Sequence, residues 1–341
     1  MLSRLPPVRR SVPLAVLVFL IGAGIGSVII ALSHHPPPKR VVVRQVITAT
    51  ASTTHPAATT HAATHAGHRS ATGQTSLVQT GADASFAALQ AQIGGQVGLS
   101  VAPLGAGVIH TFGSLQTGHA WSTMKVPVLA TLLADYEHSG QMLSPQGHTD
   151  AALALEQSDN AAAEALFGEL EQIHGGLGPA SAAVQQTLGN AGDQSTTINI
   201  APNTQGFTTW GQSEWSTSGE ILFYRSLADG CLLGPHDTAY VLSLMRNVTG
   251  SQRWGAAAAG YPTTVPLAFK AGWGPEGGGY LVRQTAIVGS GAHGYVLSML
   301  ALPAGGSFAQ GVSMITTLAS WARQHLALNA TSSPAQCAAL P

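Results

Sequence analysis

The sequence predicts a layered α+β fold, and three observations carry that reading. Strand signals broken by Gly-rich turns lie at 97–112 and again at 267–302, so a sheet is drawn from both ends of the folded part. The stretch between them reads as helix and supplies a helical lobe. Amphipathic or helical segments open and close the domain, which suits helices layered on a sheet.

Taken in order, Pro13–Ser33 reads PLAVLVFLIGAGIGSVIIALS, about 20 residues with no charge and long enough to cross a bilayer as a helix. It is longer than the apolar core of a secretory signal and runs into His34, His35 and three prolines, so it reads as an uncleaved anchor at 13–33. Arg4, Arg9 and Arg10 before it nearly balance Lys39, Arg40 and Arg44 after it. A folded domain behind a single N-terminal helix is most simply placed outside the membrane, with residues 1–12 in the cytoplasm. Residues 34–75 are small and polar without an apolar period, and read as a disordered linker. Six of the 14 histidines lie here, at 34, 35, 55, 61, 65 and 68. Their irregular spacing, with no cysteine or carboxylate beside them, fits a solvated spacer better than a metal site.

The folded domain is expected at 76–341, its body ending near Leu328. Ala82–Ile93 reads as helix. Val97–Ala102 and Gly107–Phe112 read as a β-hairpin joined by Pro-Leu-Gly-Ala. Val126–Tyr136, Ala151–Leu170, Ile221–Leu227 and Thr238–Met245 read as helices. Leu267–Ala271, Tyr280–Val288 and Gly294–Leu302 read as strands, and Phe308–Leu326 as a closing amphipathic helix. Charged residues make up 9% of the chain and the net charge is −1, so no basic field exists to hold nucleic acid. Cys231 and Cys337 form no C-x-x-C pair. They are either one disulfide, if the domain is exported, or two thiols.

Three constellations carry chemistry. Ser122-Thr-Met-Lys125 places a hydroxyl and an amine three residues apart ahead of a helical run, on one helical face. A serine needs a base beside it to attack a carbonyl, and a lysine serves once burial or a like charge lowers its pKa. The chain holds three lysines, Lys39, Lys125 and Lys270, against 11 arginines. Arginine cannot serve as a base near neutrality, so lysine at two positions of the folded domain is what proton transfer would require. Ser158-Asp159-Asn160 interrupts an apolar helical stretch. Ser158 is a candidate for the proton path and Asn160 for substrate binding, while an alternative makes Ser158 or Asp159 a helix N-cap. Lys270-Ala271-Gly272 ends a predicted strand and enters a Gly-rich turn. The strand edge could bind an extended substrate, Lys270 could face its carboxylate, and the N–H of Trp273 could join that of Ser122 as an oxyanion donor. The plainer alternative is a β-turn with an exposed lysine.

In this order the three constellations resemble the S-x-x-K, S-D-N and K-T-G set of class A β-lactamases and penicillin-binding proteins. The resemblance spans about Ala82–Leu326. It implies a three-layer α/β/α sandwich around an antiparallel sheet of about five strands, plus an all-α lobe. It further implies acylation of Ser122 by a β-lactam or a peptidoglycan D-Ala-D-Ala stem, with catalytic Ser122, Lys125 and Ser158 and substrate contacts at Asn160, Lys270, Gly272 and Trp273. No cofactor and no metal are implied, and the protein is expected to be a monomer. Three departures qualify the pattern. Ala271 stands where the family has Thr or Ser, the segment from Lys125 to Ser158 is short, and the E-x-x-L-N element of the omega loop is missing. Within 189–217 the carboxylates are Asp193 and Glu214, of which Glu214 is the candidate deacylation base. Without that base the acyl-enzyme would persist, which suits a peptidase, transpeptidase or penicillin-binding protein better than an efficient β-lactamase. A second reading is a membrane-tethered, non-catalytic cell-wall sensor.

Overall fold

The computed structural model describes residues 77–201, 204–327, 335 and 337. The expected anchor at 13–33 and linker at 34–75 lie outside the described residues. Among the described residues no helix is long and apolar enough to cross a membrane.

Five strands form one antiparallel sheet: β1 (Gly95–Pro103), β2 (His110–Gly113), β5 (Leu267–Glu276), β6 (Gly279–Val288) and β7 (Tyr295–Pro303), in the order β2-β1-β7-β6-β5. Strand β1 pairs β7 from Gly95↔Pro303 to Pro103↔Tyr295, so the two ends of the domain meet at the sheet centre. A separate ribbon pairs β3 (Thr117–His119) with β4 (Glu214–Ser216).

Side-chain alternation along β1 assigns the layers. Val97, Leu99 and Val101 pack with Phe86 of α1 (Ala82–Gln92) and with Ile315, Leu318 and Trp321 of α8 (Phe308–His325). The opposite face turns Ser100 toward α6 (Thr217–Ala228), where its Oγ donates to Thr217 Oγ1 at 2.7 Å. Beyond α6 a second apolar core joins α2 (Lys125–Ser139), α3 (Pro145–Glu156), α4 (Asn160–His174), α5 (Leu177–Asn190) and α7 (Pro235–Arg246). This is the expected sandwich with its helical lobe.

Several elements differ from expectation for definable reasons. The β1–β2 connection is longer than Pro-Leu-Gly-Ala, because it docks on α6: Asp229 accepts from Gly105 N at 2.9 and 3.0 Å, and Arg225 Nη1 donates to Gly107 O at 3.0 Å. The helical run Ala151–Leu170 is two helices. Asp159 caps α4 by accepting from Ala162 N at 2.8 Å, and Ser158 turns the corner with φ 62°. The strand at 267 continues past Ala271 to Glu276, and the chain reverses at Gly277 and Gly278, both with positive φ. Helix α5 is not expected from the sequence, since Gly178, Pro179 and Gly189 dilute its helical signal. Cys231 and Cys337 form a disulfide that pins the C-terminal segment to the body.

Candidate active site

Ser122 sits in a short 3₁₀ turn, Trp121–Met124, that runs directly into α2. Its N–H lies in the first turn, where no intrahelical acceptor exists. Strand β5 passes very close beneath. A Cβ added to Gly272 would lie 2.8 Å from Ala120 O and 2.9 Å from Ser122 N, and one added to Gly274 would lie 2.5 Å from the Trp121 ring. The two glycines of Lys-Ala-Gly-Trp-Gly therefore serve clearance rather than a turn. Because β5 is the last strand of the sheet, Trp273 stands on an edge strand whose outer side flanks the nucleophile turn.

The backbone before Ser122 is held from inside the protein. Arg283 and Glu220 are both fully buried and pair at 2.8 Å. Arg283 Nη1 donates to Gly118 O at 2.9 Å, His119 O at 3.0 Å and Trp215 O at 3.3 Å. Glu220 accepts from Thr285 and Ser298. Sequence reasoning missed this pair, although an arginine inside YLVRQTAIV and a glutamate opening an apolar helix are visible signals.

Lys125 and Lys270 are both buried and meet at the α3–α4 corner. Lys125 Nζ donates to Ser158 O at 2.6 Å, Asn160 Oδ1 at 2.8 Å and Asp159 O at 3.1 Å. Lys270 Nζ donates to Ser158 Oγ at 2.8 Å and to Ala271 O at 3.2 Å. Ser158 thus receives one lysine on its carbonyl and the other on its hydroxyl. Burial lowers the Lys125 amine to about 7 against the opposing pull of Asp159 and Glu164. Burial, and then the Lys125 charge, push Lys270 well below the ordinary lysine range. Two adjoining ammonium groups disfavour one another, so neutral amine is available here near neutrality.

Trp121, at φ 49°, and Ser158, at φ 62°, are the non-glycine residues with positive φ among the described residues. Each such conformation costs of order 1–3 kcal/mol, and such residues cluster where function requires them. Here one precedes the candidate nucleophile and the other aims its carbonyl at Lys125.

A cleft of about 90 Å³ opens beside Ser122, lined by Trp121, Ser158, Asn160, Phe207, Thr208 and Trp273. It is smaller than the few hundred Å³ usual for a small-molecule site, so a substrate must lie largely along the open rim. The Phe207 ring packs 4.8 Å from that of Trp121 and narrows the opening. Nothing in the periodicity of 189–217 announces this wall. Glu164, four residues beyond Asn160 on α4, is likewise unmarked in the sequence, although it bears electrostatically on Lys125.

Some candidates stand apart from their assigned places. Lys125 makes no hydrogen bond to Ser122 Oγ in this state, because its three N–H directions are taken by oxygens of 158–160. Lys270 is a sealed amine rather than an exposed charge, so its contact with a substrate carboxylate requires rearrangement. Glu214 lies on β4 with its carboxylate 3.3 Å from His119 Nε2, and no carboxylate is among the residues lining the cleft. Among the described residues, His119, Glu214 and Glu276 are the group that could hold a metal ion.

No protein-family model and no curated protein matches this chain. Solved structures do. A class A β-lactamase from Mycobacterium abscessus superposes with a TM-score of 0.58 at 16% identity, over 71% of this chain and 98% of that one. A β-lactamase from Burkholderia vietnamiensis gives 0.57 at 16%, over 76% and 98%. One from Xanthomonas campestris pv. campestris gives 0.57 at 18%, over 72% and 97%. Over nearly the whole length of those structures, the chain has the fold of the class A β-lactamases.

Proposed function

We propose that this chain is a membrane-anchored, extracytoplasmic serine acyl-transfer enzyme whose Ser122 is acylated by a β-lactam or a D-Ala-D-Ala-type peptide. The observation that carries the reading is the relay of Lys125, Ser158 and Lys270 packed beside Ser122 at a cleft, with Lys125 brought near neutrality. Ser122 Oγ attacks the carbonyl carbon as its proton passes to neutral Lys125. The N–H groups of Ser122 and Trp273 would receive the oxyanion. When the C–N bond breaks, the leaving nitrogen takes a proton through Ser158 Oγ, which Lys125 or Lys270 restores. Asn160 offers its amide to the substrate. With no carboxylate lining the cleft among the described residues, the ester is expected to persist.

In this reading residues 13–33 cross the bilayer, 34–75 form the spacer, and the domain at 76–341 works as a monomer outside. Intact mass followed over time with a penicillin tests it. The wild type should gain the mass of one penicillin that lasts for many minutes, and Ser122→Ala should gain none. An unlabelled wild type would refute it. A non-catalytic cell-wall binding module is the second reading, favoured by the engagement of Lys125 away from Ser122 Oγ. It predicts saturable, non-covalent binding of the same ligand by both proteins.

A further inference from the structure

His119, Glu214 and Glu276 form a cluster that the acyl-transfer chemistry does not use. His119 and Glu214 are directly opposed partners across the β3–β4 ribbon, and Glu276 ends the edge strand β5. Glu214 Oε1 stands 3.3 Å from His119 Nε2, and Glu276 Oε2 stands 3.5 Å from Nδ1 and accepts from the His119 backbone N at 3.2 Å. A set of one donor atom from each residue lies within 4.8 Å. Nδ1 is sealed from water yet makes no hydrogen bond.

Two carboxylates contact one imidazole from its two sides, Glu276 partly buried and Glu214 exposed. Arg283 bears on Glu276, but its hydrogen bonds go to Glu220 and to backbone carbonyls. We infer that His119, Glu214 and Glu276 bind a divalent transition-metal cation of the zinc type.

A cation neutralises both carboxylates and takes up a buried nitrogen. Imidazole with two carboxylates suits zinc better than calcium or magnesium, which prefer all-oxygen shells. In a tetrahedral zinc site neighbouring donors are about 3.4 Å apart; the 3.5 Å between Nδ1 and Glu276 Oε2 is one such edge, whereas the 3.3 Å contact of Glu214 is to Nε2, the ring nitrogen that faces away from that ion. Closing the set on one ring nitrogen needs a rotation of Glu214, which is the exposed arm. The backbone is already fixed by the ribbon and by β5. The bound ion would tie that ribbon to the end of β5, the two segments between which the Trp121–Ser122 turn is held. The site would therefore lie just behind the nucleophile and outside the acyl-transfer relay. Three protein ligands leave a coordination position for water.

The test is zinc titration of the full chain after dialysis against a chelator, followed by calorimetry and thermal unfolding. The histidines at 34–68 can bind zinc as well, so the decisive quantity is a difference in stoichiometry. Wild type should bind one equivalent more than Glu214→Gln/Glu276→Gln, and zinc should raise Tm in the wild type well beyond any rise in the variant. Glu214→Gln alone changes an exposed side chain and should weaken the same equivalent, which keeps the test readable if the double variant is poorly folded. Cobalt(II) bound at this equivalent should give visible d–d bands that the variants lack. Equal stoichiometry in all proteins would overturn the inference and leave the linker as the zinc binder. Calcium or magnesium displacing zinc at equal concentration would overturn the assignment of metal class.

Discussion

The position of Lys125 makes a quantitative forecast about pH. An ordinary lysine near 10.5 is about 0.3% neutral at pH 8. Burial brings Lys125 to about 7. Its neutral fraction is then about 1% at pH 5, about half at pH 7 and about 90% at pH 8. If neutral Lys125 accepts the Ser122 proton, the second-order acylation rate should climb roughly tenfold per pH unit below 6 and level off above 8. The assay is stopped-time intact mass or fluorescent-penicillin labelling under pseudo-first-order conditions from pH 5 to 10, with the β-lactam's own hydrolysis subtracted. A rate still rising tenfold per unit between pH 8 and 9.5 would assign an ordinary lysine and refute the argument. A flat profile would remove Lys125 from the proton step altogether. The same shift has a stability signature of definite sign. The folded pKa lies below the unfolded one, so between pH 7 and 10.5 the unfolded chain holds more protons and stability should rise with pH.

Three further outcomes follow from the same geometry. Asp159→Asn keeps an N-cap of equal quality but removes a charge that raises Lys125, so the inflection of the labelling profile should move to lower pH while Tm stays within a few degrees. Gly272→Ala drives a methyl into Ala120 O and Ser122 N. It should cost about 1–3 kcal/mol in urea unfolding and slow labelling by displacing the nucleophile turn. Glu220→Gln leaves Arg283 charged and buried without its partner. A loss of about 3–5 kcal/mol is expected, and a loss under 1 kcal/mol would mean that the pair does not brace this turn.

The parts of the site readable in the sequence are those where chemistry dictates residue type. Lysines at 125 and 270 in a chain whose few basic residues are mostly arginine, and polar residues cut into an apolar helix at 158–160, are conspicuous in the amino-acid order alone. What fails is the inference of environment from type. Lys270 reads as the end of a strand at a Gly-rich turn, its charge open to a substrate carboxylate, yet those glycines let β5 pass beneath Trp121 and the amine is sealed. The helices on either side of the corner in Ala151–Leu170 bury the same core, so its break shows only as the polar letters Glu156–Asn160. The fold class is legible because strand alternation and helical period are local properties. The wall at Phe207–Thr208 and the brace at Glu220–Arg283 are not, since both depend on contacts between segments far apart in the chain.

The α3–α4 corner has a consequence for motion. The hydrogen bonds it receives from Lys125 and Lys270 join helix α2 to strand β5 through a single serine and its two neighbours, and so fasten the lobe to the sheet. For Lys125 to collect a proton from Ser122, at least one of those bonds must be given up for the duration of the step. Chemistry and cohesion thus draw on the same atoms. Each turnover should slacken the seam between the two halves, and amide exchange at 156–160 should quicken in the acylated protein relative to the resting one.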